Sequence, residues 1–224
     1  MGKVIINENT VKNPITLIGE LAGPCYGSDT NDPEKNYKRG MRCLKDGHFR
    51  VLEYAEAWFV LDGYSAKVIR EFYTHIGGAP TRTQASTRYI KYKNFNYITP
   101  PSISRNEKAL NIYNQCMNNI AEATRMLQNE CDIKAEDANM LLPLGMTTTV
   151  SCRFNARTLM SMAEQRLCAR AYWEFRKMMK DILNALREYS NEWATIVDTF
   201  CLCKCEKAGF CLEHDSCGKY PKID

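Results

Sequence analysis

The stretch from Ser104 to Leu127 constrains the fold more than any other segment. Ser104-Arg105-Asn106-Glu107 has the form of a capping box, in which a Ser side chain and a Glu reciprocally satisfy free backbone donors. Behind it Leu110, Tyr113, Cys116, Met117, Ile120 and Leu127 recur at helical spacing, with a polar gap at Thr124. One apolar stripe on so long a helix has to be buried against other elements. Further helices are predicted from Ser65 (Val68, Ile69, Phe72, Tyr73 on one face), over 135–142 up to Pro143, from an Asn155 cap to about Cys168, and over 170–189. Short strands are predicted at 14–22, at 55–62 before Gly63, at 87–92 and at 147–154. Long helices interleaved with a few strands, without regular βαβ alternation, give an α+β class: a mixed sheet packed with long helices in a single domain.

At 224 residues the chain can build one substantial core and a small appendage. Its 45% hydrophobic and 25% charged content excludes wholesale disorder. A net charge of +4 is too mild to call for nucleic acid, and fits a basic pocket for a small anion. No apolar run approaches the roughly 18–20 residues of a membrane span. The polar residues early in Met1-Gly2-Lys3-Val4-Ile5-Ile6-Asn7 predict no signal peptide, and Asn7 no myristoylation. A cytoplasmic location is therefore expected, with reduced thiols rather than disulfides. That matters because there are 11 cysteines. Six are scattered; Cys201, Cys203, Cys205, Cys211 and Cys217 crowd the last 24 residues. With His214 they make six soft ligands in 17 residues, a candidate zinc site whose Cys-x-Cys spacing is tighter than usual. The alternative is a flexible thiol-rich tail.

Residues 74–89 hold the densest unusual chemistry, combining Gly77-Gly78 with His75, Arg82, Arg88 and several hydroxyls. Paired glycines let backbone N–H groups approach an anion, and arginines grip phosphate in bidentate fashion. A plain Gly-Pro loop with surface ion pairs has the same composition. Arg157, Arg166 and Arg170 form a second basic set; Arg166 and Arg170 share a face if the helix runs on, or else belong to a solvated face balanced by Glu164 and Glu174. Gly47-His48 followed by Glu53 is a weaker signal. There is no GxGxxG or Walker A stretch and no Ser-His-Asp layout.

Taken in order, these segments resemble the flavin-dependent thymidylate synthases. The likeness rests on Cys25-Tyr26-Gly27-Ser28-Asp29; on Gly47-His48 through Glu53-Tyr54, Phe59 and Gly63-Tyr64-Ser65; on His75 and Ser86-Thr87-Arg88-Tyr89; and on Leu142-Pro143-Leu144, Asn155-Ala156-Arg157-Thr158-Leu159 and Arg166 through Glu174. It spans roughly residues 14–190. The resemblance implies conversion of dUMP to dTMP with methylenetetrahydrofolate as carbon donor, FAD as cofactor and NADPH as reductant. It also implies a homotetramer with sites shared between subunits, and small-molecule nucleotide and folate partners rather than nucleic acid or membrane. His48, Glu53, His75, Arg82, Asn155, Arg157 and Ser161 become candidates for the flavin. Gln84, Ser86, Arg88, Arg70, Arg166 and Arg170 become candidates for the nucleotide, with Arg166 in the catalytic role. Residues 1–198 would be the catalytic domain and 199–224 a Cys-rich tail.

The chain departs from the family pattern around the phosphate and the flavin. Thr74 and Ile76 replace the arginines of an Arg-His-Arg triplet, the following loop is longer, Gln84 replaces an acid, and Asn139 replaces an arginine. Arg170 and Tyr172 stand where the family has His and Gln. These changes leave open another pyrimidine nucleotide as acceptor of a methyl or hydroxymethyl group, and a non-catalytic nucleotide- or flavin-binding protein with a metal-binding tail.

Overall fold

The computed structural model describes residues 2–222. The first half holds β1 (Lys3–Ile6), α1 (Pro14–Ala22), α2 (Pro33–Lys45), β2 (Glu56–Ser65), α3 (Ala66–Phe72) and β3 (Thr81–Gln84). Then come α4 (Pro101–Ser104), α5 (Glu107–Asn129), α6 (Ala135–Ala138), β4 (Thr147–Asn155) and α7 (Ala156–Arg166). The chain closes with α8 (Trp173–Tyr189), α9 (Asn191–Phe200) and α10 (Lys204–Ala208). No helix among the described residues is long and apolar enough to cross a membrane.

The fold is α+β, with one four-stranded sheet in the order β1-β2-β4-β3. The sheet is small and antiparallel, where the sequence predicted a mixed one. Asn7 N–H donates to Trp58 O and Val11 N–H to Glu56 O, while Ala156 N–H donates to Ala55 O and Ala66 N–H to Met146 O. Rising numbers on one strand meet falling numbers on its neighbour.

The chain packs as two compact units. The first contains Leu61–Tyr73 and Thr83–Val150. Leu61, Tyr64, Val68, Ile69, Phe72, Met117, Met146 and Val150 are buried in it. The second contains Val4–Val60, Thr74–Arg82 and the chain from Ser151 onward. Its core includes Ile15, Ile18, Leu44, Phe59, Phe154, Leu159, Phe175, Ile182 and Trp193, with the rings of Phe59 and Phe154 stacked 6.0 Å apart.

Several sequence expectations are overturned by long-range contacts. Residues 14–22 form helix α1, not a strand: Pro14 opens it, and Ile15, Ile18, Gly19 and Ala22 are buried along one helical face. Its first backbone donors are capped from afar, since Glu192 Oε2 accepts from Ile15 N (2.7 Å) and Thr16 N (2.9 Å). Helix α1 crosses α2 at near backbone contact. A Cβ on Gly19 would lie 1.7 Å from Asn36 O, and one on Gly40 2.1 Å from Ile15 O.

Residues 87–92 are not a strand either; the short strand lies earlier, at β3. The Asn139 amide explains this by donating to Thr87 O (2.6 Å) and Ile90 O (2.9 Å), taking up carbonyls that a ladder would need. Gln128 Nε2 in turn donates to Asn139 Oδ1 (2.9 Å). Asn106 rather than Ser104 caps α5, accepting from Ala109 N at 3.0 Å. The polar gap at Thr124 is closed by its own hydroxyl, which donates to Ile120 O (2.8 Å). The helix over 135–142 is cut to one turn at α6 followed by a 3-10 turn to Leu141.

Candidate functional site

The site lies in the second unit, where β4 runs directly into α7. Asn155 is the hinge residue: buried and extended, it accepts from Thr158 N (2.9 Å) and so caps α7. Thr158 Oγ1 lies 2.6 Å from Gly77 O and 2.9 Å from Asn155 Oδ1. That hydroxyl pins the Gly77-Gly78 loop to the start of α7. Gly78 has φ +69°, and a Cβ there would lie 2.4 Å from Asn155 Nδ2 and 2.6 Å from Thr158 Oγ1. Only glycine fits both the left-handed backbone and the space.

Glu53, His75, Gly77, Gly78, Asn155, Arg157, Thr158, Ser161 and Gln165 share the wall of one cavity of about 560 Å³. Five of the seven expected flavin residues therefore meet there: Glu53, His75, Asn155, Arg157 and Ser161. Arg157 Nη1 donates to Glu53 Oε1 at 2.6 Å, with both side chains partly exposed. Arg82 acts from behind the loop, donating to His75 O (3.1 Å) and lying over the Phe154 ring at 5.7 Å. His48 stands elsewhere, in a separate cavity with Tyr26, Ser28, Arg39 and Arg42.

Arg166 is the last residue of α7. Its Nε donates to His75 Nε2 at 3.0 Å, and its guanidinium sits 4.5 Å from the centre of the Phe175 ring. His75 meets the same ring edge-on at 5.6 Å. Because an arginine N–H can only donate, His75 Nε2 must accept, which places the imidazole proton on Nδ1. Burial, followed by the charges of Arg166 and Arg82, holds His75 down to about pKa 4. The imidazole is thus neutral through the physiological range. Its folded pKa lies below the ordinary value of about 6.5, so the unfolded chain takes up the proton first as pH falls. The resulting contribution to stability is whole above pH ~6.5 and declines down to about pH 4. Urea midpoints at pH 7 and pH 4.5 should therefore differ less in His75→Gln than in the unsubstituted protein.

The helix does not continue from Arg166 to Arg170, so these two do not share a face. Arg170 turns to the tail, where Nη1 donates to Asp215 Oδ2 (2.8 Å) and Nε lies 3.6 Å from Glu213 Oε2. The expected balancing acids also go elsewhere: Glu164 pairs with Lys207 at 2.7 Å, and Glu174 is buried.

Arg70, Gln84, Ser86 and Arg88 belong to the first unit. Ser86 Oγ accepts from Arg88 N (3.1 Å), the Arg88 side chain pairs with Glu136 (3.3 Å), and Gln84 Nε2 donates to Thr148 Oγ1 (3.3 Å). Arg70 is exposed on α3.

In the tail, Cys201 is fully buried, and burial pushes its thiol up to about 12. Cys203, Cys205, Cys211 and Cys217 line a second cavity, together with Cys168. Among the described residues no three His, Cys, Asp or Glu side chains are grouped so as to hold a metal ion. These thiols as they stand do not form the expected zinc site, and no metal chemistry is assigned to them.

Thr158, Gln165 and Phe175 were not anticipated. The Asn155-x-x-Thr158 spacing signals the cap but not the bond to Gly77. Thr158→Val is expected to cost about 1–3 kcal/mol by leaving the Gly77 carbonyl without its hydroxyl donor, read as a lower urea midpoint.

In this α+β fold a Gly-Gly loop is pinned to the strand-to-helix turn, with Arg157 in the first turn of α7, Arg166 at its end and Arg82 bonded to the loop backbone. A family profile described as thymidylate synthase complementing protein matches residues 6–190. The flavin-dependent thymidylate synthase of Nitratidesulfovibrio vulgaris is 30% identical over 193 residues, covering 80% of this chain and 74% of that protein. That of Clostridium tetani is 27% identical over 199 residues, covering 79% of each. Among solved structures, thymidylate synthase X from Helicobacter pylori, determined with FAD and dUMP, superposes with a TM-score of 0.65 at 20% identity. The match covers 88% of this chain and 99% of that one. The chain belongs to the flavin-dependent thymidylate synthase family.

Proposed function

We propose that this protein is a flavin-dependent thymidylate synthase that converts dUMP to dTMP. The observation that carries the reading is the convergence of Glu53, His75, Asn155, Arg157 and Ser161 on one cavity, in a chain whose family is established over residues 6–190. The lining fits a flavin: hydroxyl, amide and guanidinium groups offer donors to an oxygen-rich ring edge or phosphate, and the Gly77-Gly78 backbone permits close approach. FAD, when bound, supplies the redox chemistry that passes the one-carbon unit and its reducing electrons to the nucleotide. The protein's own residues bind, orient and polarise.

Uracil C5 is a poor nucleophile, and a cation held at the pyrimidine edge favours the negative charge that develops there. Arg166 has this role, and His75 fixes its position by accepting from Nε while remaining neutral. A charged imidazole at that spot would repel the guanidinium and forfeit the bond. Ser86 and Arg88 are assigned to the nucleotide phosphate, Gln84 to the nucleotide, and Arg70 adds positive charge. Arg170, held by Asp215 and Glu213, is less suited to phosphate than its position in the sequence suggested.

NADPH as reductant, methylenetetrahydrofolate as carbon donor, a cytoplasmic location and a homotetramer whose subunits share sites complete the reading. Residues 1–198 form its catalytic part and 199–224 its tail. The test is product mass after incubation with dUMP, dCMP or UMP, the folate and a reductant. dTMP from dUMP supports the assignment; a methylated or hydroxymethylated product from dCMP alone would replace it with another acceptor.

A further inference from the structure

The second cavity, of about 480 Å³, lies between the end of α7 and the tail within the second unit. Gln165 lines both cavities and Arg170 lines this one, but Glu53, His75, Asn155, Arg157, Ser161 and Arg166 do not. Five cysteines line it, and two are in direct contact: Cys205 Sγ donates to Cys203 Sγ at 3.5 Å. Cys203 caps the start of α10 in an extended conformation, and the first turn of that helix brings Cys205 back over it. Cys205 is partly exposed and Cys203 is buried. Lys180 and Lys204 face the cavity beside Glu206 and Glu213, so charge does not select what enters. The touching sulfurs do.

We propose that Cys203 and Cys205 form a reversible thiol–disulfide site whose reaction partner is a small disulfide of the glutathione class. The Cys205 thiolate attacks the sulfur–sulfur bond of the small disulfide, which breaks and releases one thiol. The Cys203 thiolate then attacks the Cys205 sulfur of the mixed disulfide and releases the second. Two protein thiols are oxidised and one disulfide is reduced to two thiols, which carry away the two protons. Cys205 is the partly exposed thiol of the pair and Cys203 the buried one, which makes Cys205 the entering group.

The step has a structural consequence. Cys203 Sγ also donates to Glu164 O at 3.9 Å, and Lys207 of α10 pairs with the Glu164 side chain at 2.7 Å. Oxidation removes the S–H donor, and with it one of these two ties between the tail and the last turn of α7.

The experiment exposes the full chain to oxidised glutathione, alkylates the remaining thiols and digests with trypsin. Lys204 lies between the two cysteines, so cleavage there separates their peptides unless a disulfide joins them; the Cys203 peptide also carries Cys201, and fragmentation with Cys201 alkylated places the bond on Cys203. The expected result is a linked pair, with Cys201 alkylated, about 2 Da lighter than the same two peptides with Cys203 and Cys205 as free thiols, separated by dithiothreitol. Cys203→Ser should stop at a glutathione adduct on Cys205, and Cys205→Ser should leave Cys203 unmodified. A stable glutathione adduct in the unsubstituted protein would overturn the proposal. So would both thiols alkylating equally before and after treatment, or tightly bound stoichiometric zinc with the pair unreactive. None of these readouts depends on flavin or nucleotide.

Discussion

Replacing Arg166 with alanine is expected to lower dTMP formation by about 10²–10³-fold while leaving the fold intact. The magnitude is that of removing one preorganised group aimed at developing charge. Arg166 ends α7 and is only partly buried, so truncation empties no core position. Its loss also deprives His75 Nε2 of its donor. Lysine should not rescue activity, because a single ammonium on a flexible stem cannot both bond His75 and lie flat over Phe175 as the guanidinium does. His75→Gln offers the complementary reading: Gln can accept the same bond and should retain more activity than His75→Ala. The check is turnover with dUMP beside thermal melting of each variant. Full activity in Arg166→Ala would remove it from the chemistry.

Gly40→Val carries the largest expected loss of stability, about 3 kcal/mol or more, read as a lowered urea midpoint. A Cβ at that position would lie 2.1 Å from the Ile15 carbonyl oxygen, which is backbone and cannot swing aside. Helices α1 and α2 would have to separate, loosening Ile15, Ile18 and Leu44 in the core they share. An unchanged midpoint would contradict the close crossing. As a control, Gly47→Ala has open space around its Cβ and meets only the cost of a left-handed backbone at φ +80°.

The contrast between those helices and α7 shows how much of the molecule was legible in the sequence. Local signals worked where the chain itself decides: the β-prone runs at 55–62 and 147–154 form β2 and β4, and Ser65 and Asn155 cap α3 and α7 by bonds to residues three positions on. Pro14-Ile15-Thr16-Leu17-Ile18 is too short and too apolar to distinguish strand from helix by period. Its helical state is settled by Gly40 and by Glu192, which lies 177 residues beyond Ile15. The alternating Thr87–Tyr92 stretch has β propensity, yet the buried Asn139 amide claims its carbonyls. Fold class was readable; these two elements depended on partners no local window contains.

The site divides in the same way. Resemblance picked out Glu53, His75, Asn155, Arg157 and Ser161, and the cavity brings them together. It could not show that His75 grips Arg166, because ninety-one positions separate them. Nor could it show that α7 ends at Arg166 and frees Arg170 to meet Asp215. Four-residue spacing implies a shared face only while the helix lasts.

The most direct test of the central claim is the absorption spectrum of the purified protein, recorded with and without dUMP. The account predicts a yellow protein carrying FAD, whose flavin oxidation is accelerated or altered when dUMP is added. A colourless protein that takes up no FAD, and is indifferent to dUMP, would contradict it.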